Sequence, residues 1–261
     1  MIDLRAMKAS FKQQSIHFFV DPQWVIPSII APFIFTTVTL FLFRHAGGDL
    51  LLYAVLGGGV LGMWGNTIHS SSWSIGYDRM NGTLEAIMVT PAPLSSVVFG
   101  RCLWNSFLGL LNALAVFIVA EFAFGIDVTV QDPLGFVVAM MATLLSLSVL
   151  GMVFGAFYVV TRASSAFFQI LEFPIYVLSG AVFPLMNLPD WSRPFSYVIP
   201  ATWGAEALKI STVAGHDSMG LGYYGALGLT GLTTVAFLLI SLWLFTYLEG
   251  RAKVNGTLVR Y

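Results

Sequence analysis

Glu172 is the residue whose position most needs a chemical explanation. It lies nine residues into the apolar stretch Ala163–Pro189, two positions before Pro174. A carboxylate at that depth of a hydrophobic run is costly and marks a functional site by default. Two readings are open. It lines a transported path, or it is a structural group bonded to Gln169 or a neighbouring helix. Pro174 also frees a backbone carbonyl that needs its own partner. A second polar group sits in the far half of Leu50–Ile75: Asn66, Thr67, His69, Ser70, Ser71, Ser72 and Ser74. Such residues either line a cavity or bond helix to helix. Asn105 and Asn112 stand seven apart, on one helical face, and share the same two fates. His69 and Glu172 are also the acid–base candidates if the chain is an intramembrane enzyme. The four histidines form no His/Glu ligand spacing, so a metal site is not expected. The single cysteine, Cys102, excludes an internal disulfide. A phosphate-cradling loop needs Gly-Lys-Ser/Thr. The four lysines are Lys8, Lys12, Lys209 and Lys253, and none follows a glycine. The sequence therefore carries no ATP-hydrolysing motif of its own.

These residues are set in an apolar background. Of 261 residues, 57% are hydrophobic and 10% charged, against about 25% charged in a soluble domain. There are too few charges to coat a soluble surface of this size. A net charge of −1 supplies no basic field for nucleic acid. The chain reads as an all-α, polytopic membrane protein. Six uncharged or nearly uncharged stretches are each about long enough to cross the hydrocarbon layer: Trp24–Phe43, Leu50–Ile75, Cys102–Ala120, Pro133–Thr161, Ala163–Pro189 and Ser218–Leu248. They do not alternate apolar with polar residues as barrel strands do. Six spans put both termini on one side. With the termini in the cytoplasm, nine of the twelve Lys and Arg are inside, and only Arg44, Arg193 and Lys209 are outside, as the positive-inside rule favours. The triplets Asn81–Thr83 and Asn255–Thr257 match glycosylation acceptors but fall on the cytoplasmic side and read as turns.

The pieces between the spans are unusual. Residues 1–22 form an amphipathic interfacial helix. Leu4, Met7, Phe11 and Phe18 make its apolar stripe, and Arg5, Lys8 and Lys12 make a cationic stripe suited to anionic headgroups. Asp21-Pro22 ends it. Residues 76–96 form a cytoplasmic loop in which Thr83 caps a short helix with Glu85 in its first turn. Pro91 stops that helix. Its apolar residues Leu84, Ile87 and Met88 need either a partner or the bundle itself. Residues 184–212, broken by Pro184, Pro189, Pro194 and Pro200, read as short helices re-entering the outer leaflet, with Thr202 capping the second. They pack there or act as a lid, with Trp191, Phe195, Tyr197 and Trp203 at the interface.

The basic leader, the six spans, Asp78-Arg79-Met80-Asn81-Gly82-Thr83-Leu84-Glu85 with Pro91, the Phe183-Pro184-Leu185…Leu188-Pro189 run and Pro200…Glu206-Ala207-Leu208-Lys209 together resemble the permease subunit of type-2 ABC exporters, over nearly the whole chain. The family pattern often begins with a glutamate where this chain has Tyr77-Asp78-Arg79. The resemblance implies one transmembrane domain, residues 1–261, in a bacterial plasma membrane. Two copies would pair with two separate ABC ATPase subunits, which bind ATP and Mg. It implies that the helix starting at Gly82 is the coupling helix. Asp78, Arg79, Asn81, Thr83 and Glu85 would make polar contacts with the ATPase, and Leu84, Ile87 and Met88 would fill its groove. The substrate path would draw on Asn66, His69, Asn105, Asn112, Gln169 and Glu172. An amphipathic small molecule, drug or lipid is the expected cargo, with a polysaccharide or lipid-linked glycan as the alternative. A secondary transporter would show several mid-membrane charges and inverted repeats. Only Glu172 stands there, and no repeat is evident.

Overall fold

Lipid satisfies no backbone N–H or C=O, so a spanning chain must bond to itself. A computed structural model describes residues 3–20, 25–26, 30, 33–34, 36–38, 40–41, 48–125, 130–160, 165–181, 184–213, 215–217 and 219–255. Among the described residues every regular element is helical. In chain order they are α1 (Leu4–Val20), α2 (Gly48–Trp64), a π turn (Gly65–His69), α3 (Ser70–Met80), α4 (Thr83–Val89), α5 (Leu94–Phe124), α6 (Pro133–Val160), α7 (Ser165–Leu178), a 3-10 turn (Leu185–Asn187), α8 (Arg193–Val198), α9 (Pro200–Thr212) and α10 (Gly222–Asn255).

Among the described residues, four runs are long and apolar enough to cross a membrane: Leu51–Met80, Leu94–Phe122, Pro133–Phe157 and Gly222–Arg251. At 1.5 Å per residue, a run of 30 residues reaches about 45 Å, well past a hydrocarbon core of about 30 Å. The expected second span therefore does not stop at Ile75 but continues to Met80. The third, expected to begin about a turn before Cys102, starts at Leu94, which carries Arg101 about two turns inside the helix. Most of Trp24–Phe43 lies outside the described residues. Its described members are helical, and Thr36 and Leu40 are buried. The expected fifth span is different. α7 has 14 residues, about 21 Å, and ends in a turn at Gly180, where φ is 66°.

α6 lies at the centre and packs on α3, α5, α9 and α10. The core joins Met63 of α2, Ile68 of the π turn, Cys102 of α5, Leu147 and Met152 of α6, Leu208 of α9 and Phe245 of α10. Glycines let backbones meet. A Cβ on Gly204 of α9 would stand 3.0 Å from Thr143 Cα on α6, and one on Gly100 of α5 would run into the Met7 carbonyl of α1. The leader is therefore docked on α5 as well as amphipathic. The Ser10 hydroxyl donates to Val97 O at 2.7 Å, and Phe11 meets Trp104 edge-on at 5.4 Å. Arg5, Lys8 and Lys12 remain exposed. α10 buries only a narrow stripe that includes Ala226, Thr230, Ser241, Phe245 and Leu248. Its other faces carry apolar residues such as Leu232, Leu239 and Trp243.

The re-entrant segment goes deeper than its sequence suggests. Twelve of the 13 residues of α9 are buried, Trp203 among them. A surface lid would leave one face open, whereas α9 is wedged between α6 and α10. Thr202 is not its cap: Pro200 begins the helix and Ile199 precedes it. Trp191 and Phe195 are exposed, as interface aromatics would be.

Candidate functional site

The short helix α4 closes one end of the bundle. α3 ends because Asn81 turns back: its backbone N–H and its side-chain amide both donate to Tyr77 O, at 3.0 and 2.9 Å. Gly82 then takes φ 68°, which glycine adopts without steric penalty. Thr90 ends α4 by donating its N–H and hydroxyl to Ile87 O, and Pro91 and Pro93 follow.

Two residues of α4 point into the protein. Leu84 and Met88 are each 3% exposed and belong to the main core, and Ile87 is half-buried against it. In this chain Leu84 and Met88 are covered by its own core rather than by a partner. The apolar face of α4 is satisfied by its own bundle. The surface turned outward instead comprises Met80, 71% exposed, Val89, 87% exposed, and Asn81, Gly82, Thr83, Ala86 and Pro91. Glu85 and Arg79 lie half-buried at its margin.

Asp78 is turned inward as well. Its carboxylate is buried and ion-paired with Arg101 of α5, side chains 9% and 3% exposed. The Thr83 hydroxyl donates to Asp78 Oδ1 at 2.9 Å rather than capping α4. Arg101 also donates from Nη2 to Gln13 Oε1 of α1 at 3.2 Å and from Nη1 to Ser74 O at 3.4 Å. One layer deeper, Asn105 Nδ2 donates to the Ser71 hydroxyl at 3.0 Å, and Gln14 Nε2 donates to Asn105 Oδ1 at 3.5 Å. A cavity of about 50 Å³ opens beside the pair, lined by Gln13, Gln14, His17, Tyr77 and Asn105 among others. A buried ion pair holds better the more of its remaining donors and acceptors are met, and α1, α3 and α4 each supply a partner through Gln13, Ser74 O and Thr83. The first turn of α4 is thus bonded, through one carboxylate, to three helices of the body. Arg101 and Gln13 were missed in the sequence. The available signal was an arginine leading directly into an apolar run.

The other polar candidates divide. Asn66 Nδ2 donates to Gly62 O at 3.1 Å, and the Ser106 and Ser148 hydroxyls bond α5 to α6. The Ser71–Asn105 and Ser106–Ser148 bonds are inter-helix contacts, while the Asn66 bond stays within its own helical run. Asn112 is buried on α5, and Glu172 is half-buried on α7. The side chains of His69 and Gln169 lie outside the described residues.

The opposite end of the bundle holds a second buried polar cluster. His216 bonds Glu206 Oε1 through Nε2 at 2.9 Å and the Tyr53 hydroxyl through Nδ1 at 2.8 Å. Lys209 donates to Gly180 O at the end of α7, where a cation suits the helix terminus. Glu206 and Lys209 are each 1% exposed. Burial pushes the Lys209 ammonium down to about 8, opposed by Glu206. Sequence analysis placed Lys209 in the outer re-entrant segment and passed over Tyr53 and His216.

Comparison with known proteins agrees with this architecture. The chain is 26% identical over 211 residues to ABC transporter G family member 20 of Dictyostelium discoideum. The match takes in 80% of this chain and 27% of that protein, so the chain spans about a quarter of its relative's length. The family model described as ABC-2 type transporter matches residues 5–212, from α1 through α9. A buried, multi-helix membrane body with this match belongs to the ABC-2 type transporter family.

Proposed function

We propose that the chain is the membrane subunit of an ATP-driven exporter, powered by a separate ABC ATPase that docks at the α4 end, on the cytoplasmic side. Two permease copies and two ATPases make the working unit, in a plasma membrane of bacterial type with both termini inside. ATP and Mg sit in the ATPase.

The observation that carries this reading is the shape of α4. Its inner face is locked to the body by Leu84, Met88 and the Thr83–Asp78–Arg101 chain. Its outer face offers Ala86 and Val89, and Met80 is exposed at the end of α3. A short helix bonded rigidly on one side and apolar on the other transmits a push from whatever covers it. Asn81, Thr83 and Glu85 supply the polar rim of that contact, and Arg79 its cation. Arg5, Lys8 and Lys12 hold α1 on anionic lipid. Alternating access follows if the ATP-bound partner favours one arrangement of the spans over the other.

The cargo is an amphipathic small molecule or lipid. Inside the described bundle, Asn66, Asn105, Ser106 and Ser148 bond to the protein itself. That arrangement suits a cargo moving along apolar helix faces better than a hydrated glycan. Glu172, half-buried on α7, is the best-placed polar residue to meet it, with Asn112, Gln169 and His69 as further path candidates.

Vesicles containing the permease and its ATPase test the reading. Permease-dependent ATP turnover that rises with an added amphiphile supports it. Cargo movement that needs neither nucleotide nor ATPase contradicts it.

A further inference from the structure

The run from α2 to α3 departs from α geometry at one place. Gly65–His69 is wound as a π turn, and the Ser70 N–H donates to Gly65 O, five residues back. A π turn amounts to one residue inserted into an α-helix, and such turns recur at working sites. Here its cost is offset locally, because the Asn66 amide donates to Gly62 O at 3.1 Å. Two neighbouring helices meet the turn with bare backbone. A Cβ on Gly109 of α5 would lie 2.9 Å from Met63 Cα, and one on Gly151 of α6 would lie 2.9 Å from Thr67 O. Among the described residues, none outside the helix's own backbone comes within 4 Å of where a Cβ on Gly65 would be.

The same run is tied at both ends. Beyond the turn, Asp78 is held to Arg101 and Thr83. Before it, Tyr53 bonds His216 and Gly57 O accepts from the Tyr176 hydroxyl at 3.0 Å. A displacement delivered to α4 moves α3 as a lever, while α2 is anchored at the far end. The strain of that movement falls on the segment between them. The π turn is the part of it that can rewind without breaking a regular helix.

We propose that the Gly65–His69 π turn is the hinge of the transport cycle, with Gly65 and Asn66 as positioning residues. This rests on the exporter function proposed above. If the extra residue is redistributed along the helix, each residue the turn passes rotates by about 100°. Asn66, Thr67 and Ile68 are all buried, so that rotation exchanges which helix each of them packs against.

Hydrogen–deuterium exchange on the full permease–ATPase complex in phosphatidylcholine nanodiscs tests the hinge. Exchange is compared without nucleotide and after trapping with ATP and vanadate. Amides of residues 65–70 are expected to change exchange rate at least tenfold between the states, and those of residues 54–60 to stay level. Deleting Gly65 removes the inserted residue while keeping both flanking helices on their own faces. That variant is expected to assemble and to lose the nucleotide-dependent change. Deleting Val55 from regular α2 is expected to block assembly. Gly65→Ala, for which there is space, favours α winding and is expected to cut permease-stimulated ATP turnover about fivefold. Equal exchange in the two states overturns the hinge, as does a Gly65 deletion that keeps the change. A Gly65 deletion that fails to assemble, with Gly65→Ala unaltered in turnover, overturns it as well. If instead ATP turnover does not depend on the permease at all, the exporter reading fails, and that result is distinct from a failed hinge.

Discussion

Asp78→Ala is the most informative single perturbation of the α4 platform. It leaves Arg101, whose side chain is 3% exposed, charged and without its carboxylate. Breaking one side of a buried pair costs about 3–5 kcal/mol. The Thr83 hydroxyl loses its 2.9 Å acceptor as well, about 1 kcal/mol more. The double variant Asp78→Leu with Arg101→Met replaces the pair by apolar groups of similar bulk, and such replacements are near neutral or stabilising. The two proteins should therefore separate stability from coupling. Detergent-solubilised Asp78→Ala should melt well below wild type, and the double variant should melt close to it. Both should lose permease-stimulated ATP turnover, because neither can pass force from Thr83 through Asp78 to α5 and α1. A double variant that is stable and stimulates the ATPase normally would refute the reasoning, since the pair would then only hold the fold together.

Glu85→Arg should insert and assemble normally while lowering permease-stimulated turnover severalfold; unchanged turnover removes Glu85 from the ATPase contact. Glu172→Gln should alter stimulation by an added amphiphile more than assembly, and dissociation of the complex on gel filtration would instead make Glu172 structural. Gly204→Ala should cost about 1–3 kcal/mol by overpacking, because the new Cβ meets Thr143 Cα at 3.0 Å; an unchanged melting temperature would show that α9 can move away from α6 freely. Lys209 sheds its proton near 8 in the folded protein, against 10.5 ordinarily, so in that interval the unfolded chain binds more protons and stability rises with pH. Lys209→Met should flatten this rise, and a wild-type profile already flat between those values argues against the buried ammonium.

The helices were legible because apolar runs without charge can only be helices in lipid, and Pro133–Thr161 matches α6 almost to the residue. The ends of the others were less so: polar residues such as Asp78 and Arg101 continue helices that a charge-free window cuts short. α4 itself was legible from Gly82, Thr83 and Pro91, but its facing was not. An amphipathic helix states that Leu84, Ile87 and Met88 need cover without stating whose. The bundle supplies it, and Met80, Ala86 and Val89 are the apolar residues left exposed there. The Asp78–Arg101 pair spans 23 residues of sequence, and no local pattern links such a pair. The same holds for Tyr53 with His216, 163 residues apart. Glu206 and Lys209 were expected on a short re-entrant helix of the outer leaflet, whereas the structure buries them with partners at Gly180, past the end of α7, and at His216, beyond α9.

The central claim is that an ATPase seats on the outward face of α4. A photoreactive benzophenone amino acid at Val89, 87% exposed, and in a second protein at Trp191, 73% exposed at the opposite end, tests it in membranes that also contain the ATPase. The account predicts an adduct with the ATPase from position 89 and none from position 191. An adduct from position 191 with none from position 89 would contradict it.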